Sequence, residues 1–565
     1  MTHSVSQALY RAYLEIPEQR CLSLLFSRQP DQHLSYAELV LGAAAYAEAL
    51  AHAGIQPGEV VIIIFNHGAE LVFSFLGAVL RGAIPSIMPF LTEKLSPENY
   101  RASLKSLFEI TAPAAVITYP EFLGEVQSAS SNSSVRAILG SDQVQPLSGI
   151  DWQALPGLKR SPDEVVLLQH SSGTTGLQKG VALAHQAVFN QLESYTAALQ
   201  INQQDIVVSW LPLYHDMGLI AGFLLPILCR IPLVLMSPFD WVRAPYKLLQ
   251  AISEYRGTLT WLPNFAYNFC AQKIRERDLE SVNLSSLRAV INCSEPMYLQ
   301  SHQLFLERFQ GYQLKPSALA TCYAMAENVF AVTQGGIDRP VTIDWIQGWD
   351  LLSNQVATPT EQRSQGAVPM VSAGQPIEGV EVRVMNSQGQ VLPERQIGEI
   401  ALRSHCMLTG YYHRPDLTEK AFLDGWYLTG DLGYLAGGEL YITGRKKDLI
   451  IIGGKNVYPQ DLERLAGEVD GVHPGRVVAF GVFNPETGTE EVVIVAELDP
   501  EQFALDGASD QIAGEIRRRI TQGSDIALRY VHLVERNWLL KTSSGKIARA
   551  SNREKYLQEI GAAQS

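Results

Sequence analysis

Apolar residues recur along the first half of the chain in blocks that alternate between helical spacing and strand spacing. The run AELVLGAAAYAEALAHA (37–53) has apolar positions at helical spacing and ends at Gly54, whereas VVIIIF (60–65) reads as a short buried strand. The alternation continues through predicted strands at 165–169, 207–211 and 233–236 and predicted helices beginning near Gln186, 218 and 245. Strands that alternate with helices predict parallel sheets covered on both faces.

The most apolar long segment, LIAGFLLPILCRIPLVLM (219–236), is interrupted by Pro226, Arg230 and Pro232. A membrane-spanning helix needs about 20 uninterrupted apolar residues, so this segment is predicted to be buried core, with no integral membrane contact. The N-terminus has no apolar h-region, and the six cysteines show no CxxC or framework spacing. Together these features predict a soluble cytoplasmic protein with free thiols.

A chain of 565 residues exceeds one hydrophobic core and is predicted to form two or more domains. The net charge of −14 argues against nucleic acid as a partner. The charged stretch GRKKD (444–448) marks a boundary, because the residues beyond it are close to charge balance and follow a different pattern. The predicted division is therefore 1–443, a hinge at 444–448, and a smaller α+β domain at 449–565.

The stretch HSSGTTGLQKGV (170–181) joins two apolar runs through small residues and then offers one cation, Lys179. A loop without bulky side chains lets backbone N–H groups approach a ligand closely, which is typical of phosphate binding. The loop is neither a Walker loop, GxxxxGK[ST], nor a Rossmann fingerprint, GxGxxG. Taken alone, it leaves open the alternative of an ordinary turn between strands.

Four later segments favour the phosphate-binding interpretation: CYAMAEN (322–328), WYLTGDLGYL (426–435), GRKKDLIIIGGKNVYPQDLE (444–463) and LKTSSGKIARA (540–550). In this order, and with the loop, they resemble the signatures of the adenylate-forming superfamily, which includes acyl-CoA synthetases, nonribosomal adenylation domains and luciferases. The resemblance runs from about 34 to 555. It implies an α/β fold: a large N-terminal domain of parallel sheets flanked by helices plus a β-rich subdomain, then a small mobile α+β C-terminal domain.

The resemblance also implies ATP and Mg²⁺ as cofactors, because joining a carboxylate to ATP is mostly charge neutralisation and positioning. Lys546 and His215 are the implied catalytic residues together with Glu327, which is also the implied Mg²⁺ ligand. The implied hinge residue is Lys447. The remaining residues implied to bind ATP are Ser171, Ser172, Gly173, Thr174, Thr175, Gly176, Lys179, Ser294, Glu295, Pro296, Cys322, Tyr323, Asp431 and Arg445. Among them, the loop and Lys179 would hold the β- and γ-phosphates, Tyr323 would stack on adenine, and Asp431 would accept the ribose hydroxyls.

Within the superfamily, WLPLYHDMGLIAGFLLP (210–226), PNFAYNFC (263–270) and NVYPQDLE (456–463) resemble the fatty acyl-AMP ligases. These enzymes activate fatty acids and pass them to an acyl carrier protein, or to the carrier domain of a polyketide or nonribosomal synthase. The long segment between Glu327 and Gly374 resembles the insertion of that family, and such a loop is uncommon without a function. The implied reaction is formation of acyl-AMP and pyrophosphate, followed by transfer to a phosphopantetheine thiol.

Two segments depart from the family pattern: NCSEP (292–296) stands where the family has NGAEP, and AMAENV (324–329) where it has GLAEAT. Both border the implied site and leave the identity of the acid open. Three alternatives also stay open: an acyl-CoA synthetase, a non-catalytic sensor of nucleotide or acyl ligand, and a luciferase-like oxygenase. The first keeps the same adenylation chemistry and differs only in its acceptor.

Overall fold

The computed structural model describes residues 4–90, 97–171, 179–452, 455–484, 489–503, 507–524, 528–542 and 545–564. The helices are α1 Val5–Glu15, α2 Tyr36–His52, α3 Ala69–Leu80, α4 Pro97–Thr111, α5 Leu123–Ala129, α6 His185–Leu199, α7 Leu225–Cys229, α8 Pro238–Arg243, α9 Tyr246–Tyr255, α10 Asn264–Lys273, α11 Leu299–Phe309, α12 Gly348–Ser353, α13 Pro415–Lys420, α14 Pro459–Gly467, α15 Pro500–Phe503, α16 Ala508–Ser524 and α17 Arg549–Gln564.

The strands fall into several sheets. In chain order they are β1 Arg20–Leu25, β2 Gln32–Ser35, β3 Val60–Ile64, β4 Ile84–Ile87, β5 Ala115–Thr118, β6 Ala137–Gly140, β7 Val165–Ser171, β8 Lys179–Ala184, β9 Val207–Ser209, β10 Leu233–Met236, β11 Leu259–Leu262, β12 Ala289–Cys293, β13 Leu319–Ala324, β14 Ala331–Gly335, β15 Ile343–Gln347, β16 Ala367–Val371, β17 Gln375–Pro376, β18 Val380–Met385, β19 Gly398–Ser404, β20 Gly410–Tyr411, β21 Phe422–Leu423, β22 Trp426–Ala436, β23 Glu439–Arg445, β24 Ile450–Ile452, β25 Lys455–Val457, β26 Val472–Asn484, β27 Thr489–Leu498 and β28 Tyr530–Val534.

Two sheets confirm the predicted parallel architecture. A nine-stranded sheet has the order β17-β14-β13-β12-β11-β9-β10-β1-β2, with parallel pairing from β13 to β1. A four-stranded parallel sheet has the order β4-β3-β5-β6. A third, β-rich layer joins β18, β19, β22 and β21, with β23 paired to β22, as the fold class predicted. The carboxyl ends of the parallel strands therefore open towards a shared edge, where ligands of α/β sheets bind.

The strand that precedes the glycine-rich loop departs from the predicted parallel pairing. β7 pairs antiparallel with β8, and β20 adds to the other edge of β8. The alternating pattern could not reveal this arrangement, because an antiparallel pair needs only a short connection whereas a parallel pair needs a crossover. The loop is thus the connection of a β-hairpin.

The apolar segment 219–236 lies in the core, as predicted, but its first part is not an ordinary α-helix. Met217–Leu224 is a π-helix that leads into α7, and every residue of the π-helix is buried. Such π-helical turns occur frequently at functional sites. Within the described ranges, the structure contains no helix long and apolar enough to cross a bilayer.

The local signals that begin and end elements agree with the sequence. Ser35 and Glu38 form a capping box at the start of α2, and Gly54 follows the end of that helix with a φ of 74°. Predicted strands and helices over residues 37–256 are confirmed to within a few residues at their ends. Core side chains of the C-terminal part, such as Ile450, Leu462 and Ile516, pack mainly with one another.

Buried histidines give the fold a dependence on pH. Burial lowers the pKa of His67, His170, His185 and His302 to about 4, so these rings are neutral in the folded protein. His302 stacks on Tyr267 at 5.1 Å, and its Nε2 lies 3.0 Å from Nδ2 of Asn292. The pKa of each ring is lower in the folded protein than in the unfolded chain. When the pH lies between these two values, the ring binds a proton only after unfolding.

We expect the thermal midpoint of unfolding to fall as the pH is lowered from 7.5 towards 5. A pKa depressed to about 4 costs about 1 kcal/mol of stability per histidine at pH 5.5 and nothing above pH 7.5. The His302→Gln variant should have a lower midpoint at pH 7.5 but a smaller fall on acidification. The exposed His52 is the control, since His52→Gln should leave the slope unchanged; an unchanged slope in His302→Gln would contradict the account.

Candidate active site

The glycine-rich loop is described only at its two ends. Ser171 closes β7 and Lys179 opens β8, and the two are paired across the hairpin. Five of the predicted ATP-binding residues lie outside the described residues, and so does the side chain of Ser171; the five are Ser172, Gly173, Thr174, Thr175 and Gly176. The Lys179 ammonium lies 4.8 Å from the centre of the Tyr411 ring, which places one cation at the base of the loop.

Glu327 lies on a short 3₁₀ helix, Ala326–Asn328, directly after β13. Its Oε1 accepts a 2.9 Å hydrogen bond from the Tyr411 hydroxyl. The chain then reverses sharply at Val329, whose φ of 61° is unusual for a β-branched residue and marks backbone strain next to the carboxylate. Burial raises the pKa of Glu327, and nearby Asp216 raises it further, while Tyr411 and Lys179 oppose the shift.

Asp431 is buried between two partners. The Tyr323 hydroxyl donates to its Oδ2 at 2.6 Å, and Nε of Arg445 donates to its Oδ1 at 2.9 Å. Antiparallel pairing of β22 with β23 places Asp431 directly opposite Arg445, which explains their separation in the sequence. A carboxylate with its oxygens held in this way is preorganised to accept hydroxyl groups.

The segment after β12 runs beside Tyr323, because β12 and β13 are parallel neighbours. Ser294 has a φ of 71°, and Oε2 of Glu295 accepts a 3.0 Å hydrogen bond from the N–H of Phe265, at the start of α10. Pro296 is exposed. The three predicted wall residues therefore follow the strand next to that of Tyr323, and the Glu295 carboxylate holds the start of α10.

Cys322 lies directly opposite Cys293 in the sheet, and both thiols are buried. Burial raises the pKa of Cys322 well above its usual range, with Cys293 acting in the same direction. A thiol that stays protonated is a poor nucleophile. Cys322 can therefore contribute to the predicted site only as part of its wall.

His215 is paired with the next residue in the chain. Its Nδ1 lies 2.6 Å from Oδ1 of Asp216, and Asp216 caps the π-helix through the N–H of Met217. Burial opposes ionisation of Asp216, yet His215 and Lys546 lower the pKa of its carboxyl. Lys546, from the far C-terminal part of the chain, therefore lies within electrostatic reach of residues at the edge of the large sheet.

The segment carrying Lys546 is anchored on both sides. Nδ2 of Asn552 donates to the carbonyls of Leu540 and Ala548 at 2.9 Å, and its Oδ1 accepts from the N–H of Leu540 at 2.8 Å. Arg549, three residues beyond Lys546, forms a 2.9 Å ion pair with Glu463. These contacts fix the backbone on which the lysine stands.

Two residues of the stretch 444–448 form ion pairs with different parts of the chain. Nζ of Lys446 lies 2.7 Å from Glu399 of β19, whereas Asp448 pairs with Arg549 of α17. Lys447 stands between them, and burial, with Arg445, lowers its pKa to about 8. Rotation about Lys447 would break neither of the two ion pairs.

Several residues of this site escaped prediction. Asp216 lies within the matching segment 210–226 but has no predicted role, and its position directly after His215 is the signal that could have found it. Tyr411 and Arg549 had no sequence signal, since a tyrosine after Gly410 and an arginine after a lysine loop are ordinary patterns. Their contacts depend on pairing between distant strands.

The residues suit a divalent cation held together with phosphate. Glu327 is a partly buried carboxylate of raised pKa, and Asp216 and Lys179 both act on it. A hard cation prefers such oxygen ligands. In the part of the chain that is described, no group of three or more histidine, cysteine, aspartate or glutamate side chains is arranged to hold a metal alone. A Mg²⁺ ion that keeps water and phosphate ligands needs only one or two carboxylates.

Comparison with known proteins identifies the family. A family model described as AMP-binding enzyme matches residues 15–412. The chain is 30% identical over 573 residues to the medium-chain-fatty-acid–acyl-carrier-protein ligase JamA of Moorena producens, covering 97% of this chain and 94% of JamA. It is 29% identical over 553 residues to the long-chain-fatty-acid–AMP ligase FadD26 of Mycobacterium marinum, covering 93% and 91%.

Solved structures give the same result. A structure from studies of fatty acyl-adenylate ligases of E. coli and L. pneumophila matches with a TM-score of 0.88 and 26% identity, covering 99% of this chain and 98% of that chain. The structure of McyG A-PCP complexed with phenylalanyl-adenylate matches with a TM-score of 0.86 and 26% identity, covering 100% and 84%. The chain belongs to the AMP-binding enzyme family and is a ligase. The predicted resemblance to the fatty acyl-AMP ligases is confirmed.

The position of Asp431 generates a first kinetic prediction. We expect Asp431→Ala to raise the KM for ATP at least as clearly as it lowers kcat, because a carboxylate that holds ribose hydroxyls binds ground state and transition state alike. Steady-state pyrophosphate exchange at varied ATP measures this effect. Asp416→Ala, at an exposed ion pair with Arg414, is the control. An ATP dependence unchanged in Asp431→Ala would show that Asp431 serves only to hold Tyr323 and Arg445 in place.

Proposed function

We propose that this protein activates a fatty acid with ATP to form acyl-AMP and pyrophosphate, and then transfers the acyl group to the phosphopantetheine thiol of an acyl carrier protein or carrier domain. The alternative acceptor is coenzyme A. The observation that carries the proposal is the geometry of two carboxylates: Asp431 is held by Tyr323 and Arg445, and Glu327 is held by Tyr411, whose ring lies against the Lys179 ammonium. Similarity to JamA, FadD26 and the solved fatty acyl-adenylate ligases supports the acyl substrate.

The first step is attack of a substrate carboxylate oxygen on the α-phosphorus of ATP, with pyrophosphate leaving. Lys179 and the loop residues 171–176 would hold the departing phosphates, and Asp431 with Tyr323 and Arg445 would hold the nucleoside. Lys546 would lie where the carboxylate and the α-phosphate meet, since its charge already acts on Asp216 beside His215. Cations placed in advance around developing negative charge lower the barrier without reorganisation.

Glu327 is the proposed Mg²⁺ ligand, and Tyr411 holds one of its oxygens. The ion would neutralise charge on the phosphates of ATP. The carboxylate itself must be ionised to bind the ion, and binding would offset the burial that raises the pKa of Glu327.

We propose a division into a large domain (1–443), a hinge (444–448) and a small domain (449–565), with Lys447 as the pivot. The ion pair of Lys446 with Glu399 and that of Asp448 with Arg549 support this division, because each holds one end of the hinge to a different part of the chain. A swing of the small domain would remove Lys546 and admit a thiol after pyrophosphate has left.

The segment between Glu327 and Gly374 bears on the choice of acceptor. It forms the β15–β16 hairpin and α12, which lies against β25. Asp344 of this hairpin accepts a 2.8 Å hydrogen bond from Tyr434 and pairs with Arg395 at 3.0 Å. Ile346 and Leu351 are buried beside Tyr458, which follows the hinge. A segment packed on both sides of the proposed hinge would restrict the swing or close the path that coenzyme A needs. The phosphopantetheine arm could still enter if a docked carrier protein changes this geometry.

The acid substrate and the reaction type are tested together by ATP–pyrophosphate exchange across a panel of carboxylic acids of increasing chain length. The proposal predicts exchange that depends on a fatty acid and on Mg²⁺. Exchange without added acid, or with none of the acids, would contradict it. A folded protein that binds ATP without exchange would instead be a nucleotide sensor.

Removal of the catalytic cation is the sharpest single substitution. We expect Lys546→Ala to lower fatty-acid-dependent pyrophosphate exchange by about a hundredfold or more, because it deletes a charge facing the transition state. Arg536→Ala removes an exposed cation of the same region and should change the rate by less than about twofold. A folded Lys546→Ala variant that keeps most of the exchange rate would refute the assignment.

The acceptor is tested by supplying coenzyme A and a holo-carrier protein to enzyme carrying acyl-AMP. We expect thioester with the cognate holo-carrier and little acyl-CoA. Replacing α12 (348–353) by a short glycine linker should raise acyl-CoA formation, since it removes the contact with β25. Rapid acyl-CoA formation by the unmodified enzyme would move the protein to the coenzyme A ligases.

A further inference from the structure

Tyr411 lies between the two groups proposed to hold the pyrophosphate end of ATP. The Lys179 ammonium lies 4.8 Å from the centre of the Tyr411 ring, and the Tyr411 hydroxyl donates to Oε1 of Glu327 at 2.9 Å. We propose that Tyr411 is a positioning residue that fixes the phosphate-binding lysine and the Mg²⁺-binding carboxylate relative to each other. This inference rests on the proposed function and adds a residue to its site.

The backbone around Tyr411 is hydrogen-bonded to the strand that begins at Lys179 and to the turn that carries Glu327. Tyr411 pairs with Val181 of β8, the strand that begins at Lys179, so the ring and the lysine share one small sheet. The N–H of Leu408 donates to the carbonyl of Glu327 at 2.8 Å, which ties the preceding segment to the carboxylate-bearing turn. The position of Tyr411 is thereby set by both neighbours.

The side chain of Tyr411 has little freedom to move. Tyr411 is 6% exposed, and its backbone N–H donates to Oγ1 of Thr418 at 2.9 Å. A second tyrosine, Tyr427, places its hydroxyl 3.0 Å from the hydroxyl of Tyr411. Since an ionised carboxylate can only accept, Tyr411 donates to Glu327 and Tyr427 donates to Tyr411. The O–H bond of Tyr411 therefore has one preferred orientation, towards Glu327.

The hydroxyl and the ring serve different partners, so two substitutions separate them. Tyr411→Phe removes the hydrogen bond to Glu327 and keeps the ring beneath Lys179. Tyr411→Leu removes both. A hydrogen bond to a charged group and a cation–π contact are each strong enough to be measured as a change of affinity.

The test is calorimetric binding of ATP to the full-length protein, with and without Mg²⁺. Tyr411→Phe should weaken binding of Mg–ATP by about tenfold and leave binding of metal-free ATP within about twofold of wild type. Tyr411→Leu should also weaken binding of metal-free ATP, by about fivefold, because Lys179 loses its support. Tyr427→Phe should have a smaller effect than Tyr411→Phe in the presence of Mg²⁺.

Tyr412 provides the matched control, because it is the next residue and stacks on His413 at 4.1 Å. Tyr412→Phe should bind ATP as the wild type does under both conditions. Equal weakening with and without Mg²⁺ in Tyr411→Phe, or no weakening at all, would overturn the inference. If Tyr411→Leu does not fold, the same-shaped Tyr411→Phe still decides the outcome.

Wild-type protein separates this result from the broader proposal. Failure of the wild type to bind Mg–ATP would count against the proposed function itself. Normal binding of Mg–ATP by both wild type and Tyr411→Phe would remove only the role of Tyr411.

Discussion

The electrostatic effect of Lys546 on Asp216 connects the C-terminal part of the chain with the large sheet. Asp216 follows a strand of the large sheet and caps a buried π-helix, whereas Lys546 stands on a segment near the C-terminus that Asn552 and Arg549 hold. Lys546 lowers the pKa of the Asp216 carboxyl, while Asp216 raises and Lys179 lowers the pKa of Glu327. Partly buried carboxylates are unfavourable when no cation compensates them, so these acidic groups depend on the lysines near them.

The ion pairs of the proposed hinge suit the movement that the proposed reaction needs. Lys446 is bound to Glu399, and Asp448 is bound to Arg549, which lies three residues from Lys546. Movement about Lys447 would carry Arg549 and Lys546 together, since both lie on the same side of the pivot. The packing of the β15–β16 hairpin and α12 against Tyr458 and β25 opposes such movement. In the proposed reaction, this opposition is what would distinguish a carrier-bound thiol from coenzyme A.

Much of the architecture could be predicted because local patterns specify it. The helical spacing over 37–53, the glycine after it and the broken apolar run at 219–236 each depend on neighbouring residues, and the structure agrees with all of them. The family motifs also predicted roles for Glu327, Asp431 and Lys546, and these roles stay predictions. The antiparallel pairing of β7, the π-helix and the contacts of Asp216 and Tyr411 were missed. The first two leave the apolar pattern unchanged, Asp216 was given no role beside His215, and the contact of Tyr411 with Glu327 joins residues far apart in the chain. The five loop residues 172–176 stay predictions.

A crystal structure of the protein with a stable acyl-adenylate analogue tests the central claim most directly. The account predicts the two ribose hydroxyls at about 3 Å from the Asp431 carboxylate and Nζ of Lys546 within hydrogen-bond distance of the atoms that join acyl group and phosphate. Adenosine bound away from Tyr323 and Asp431, with Lys546 directed elsewhere in the adenylate complex, would contradict it.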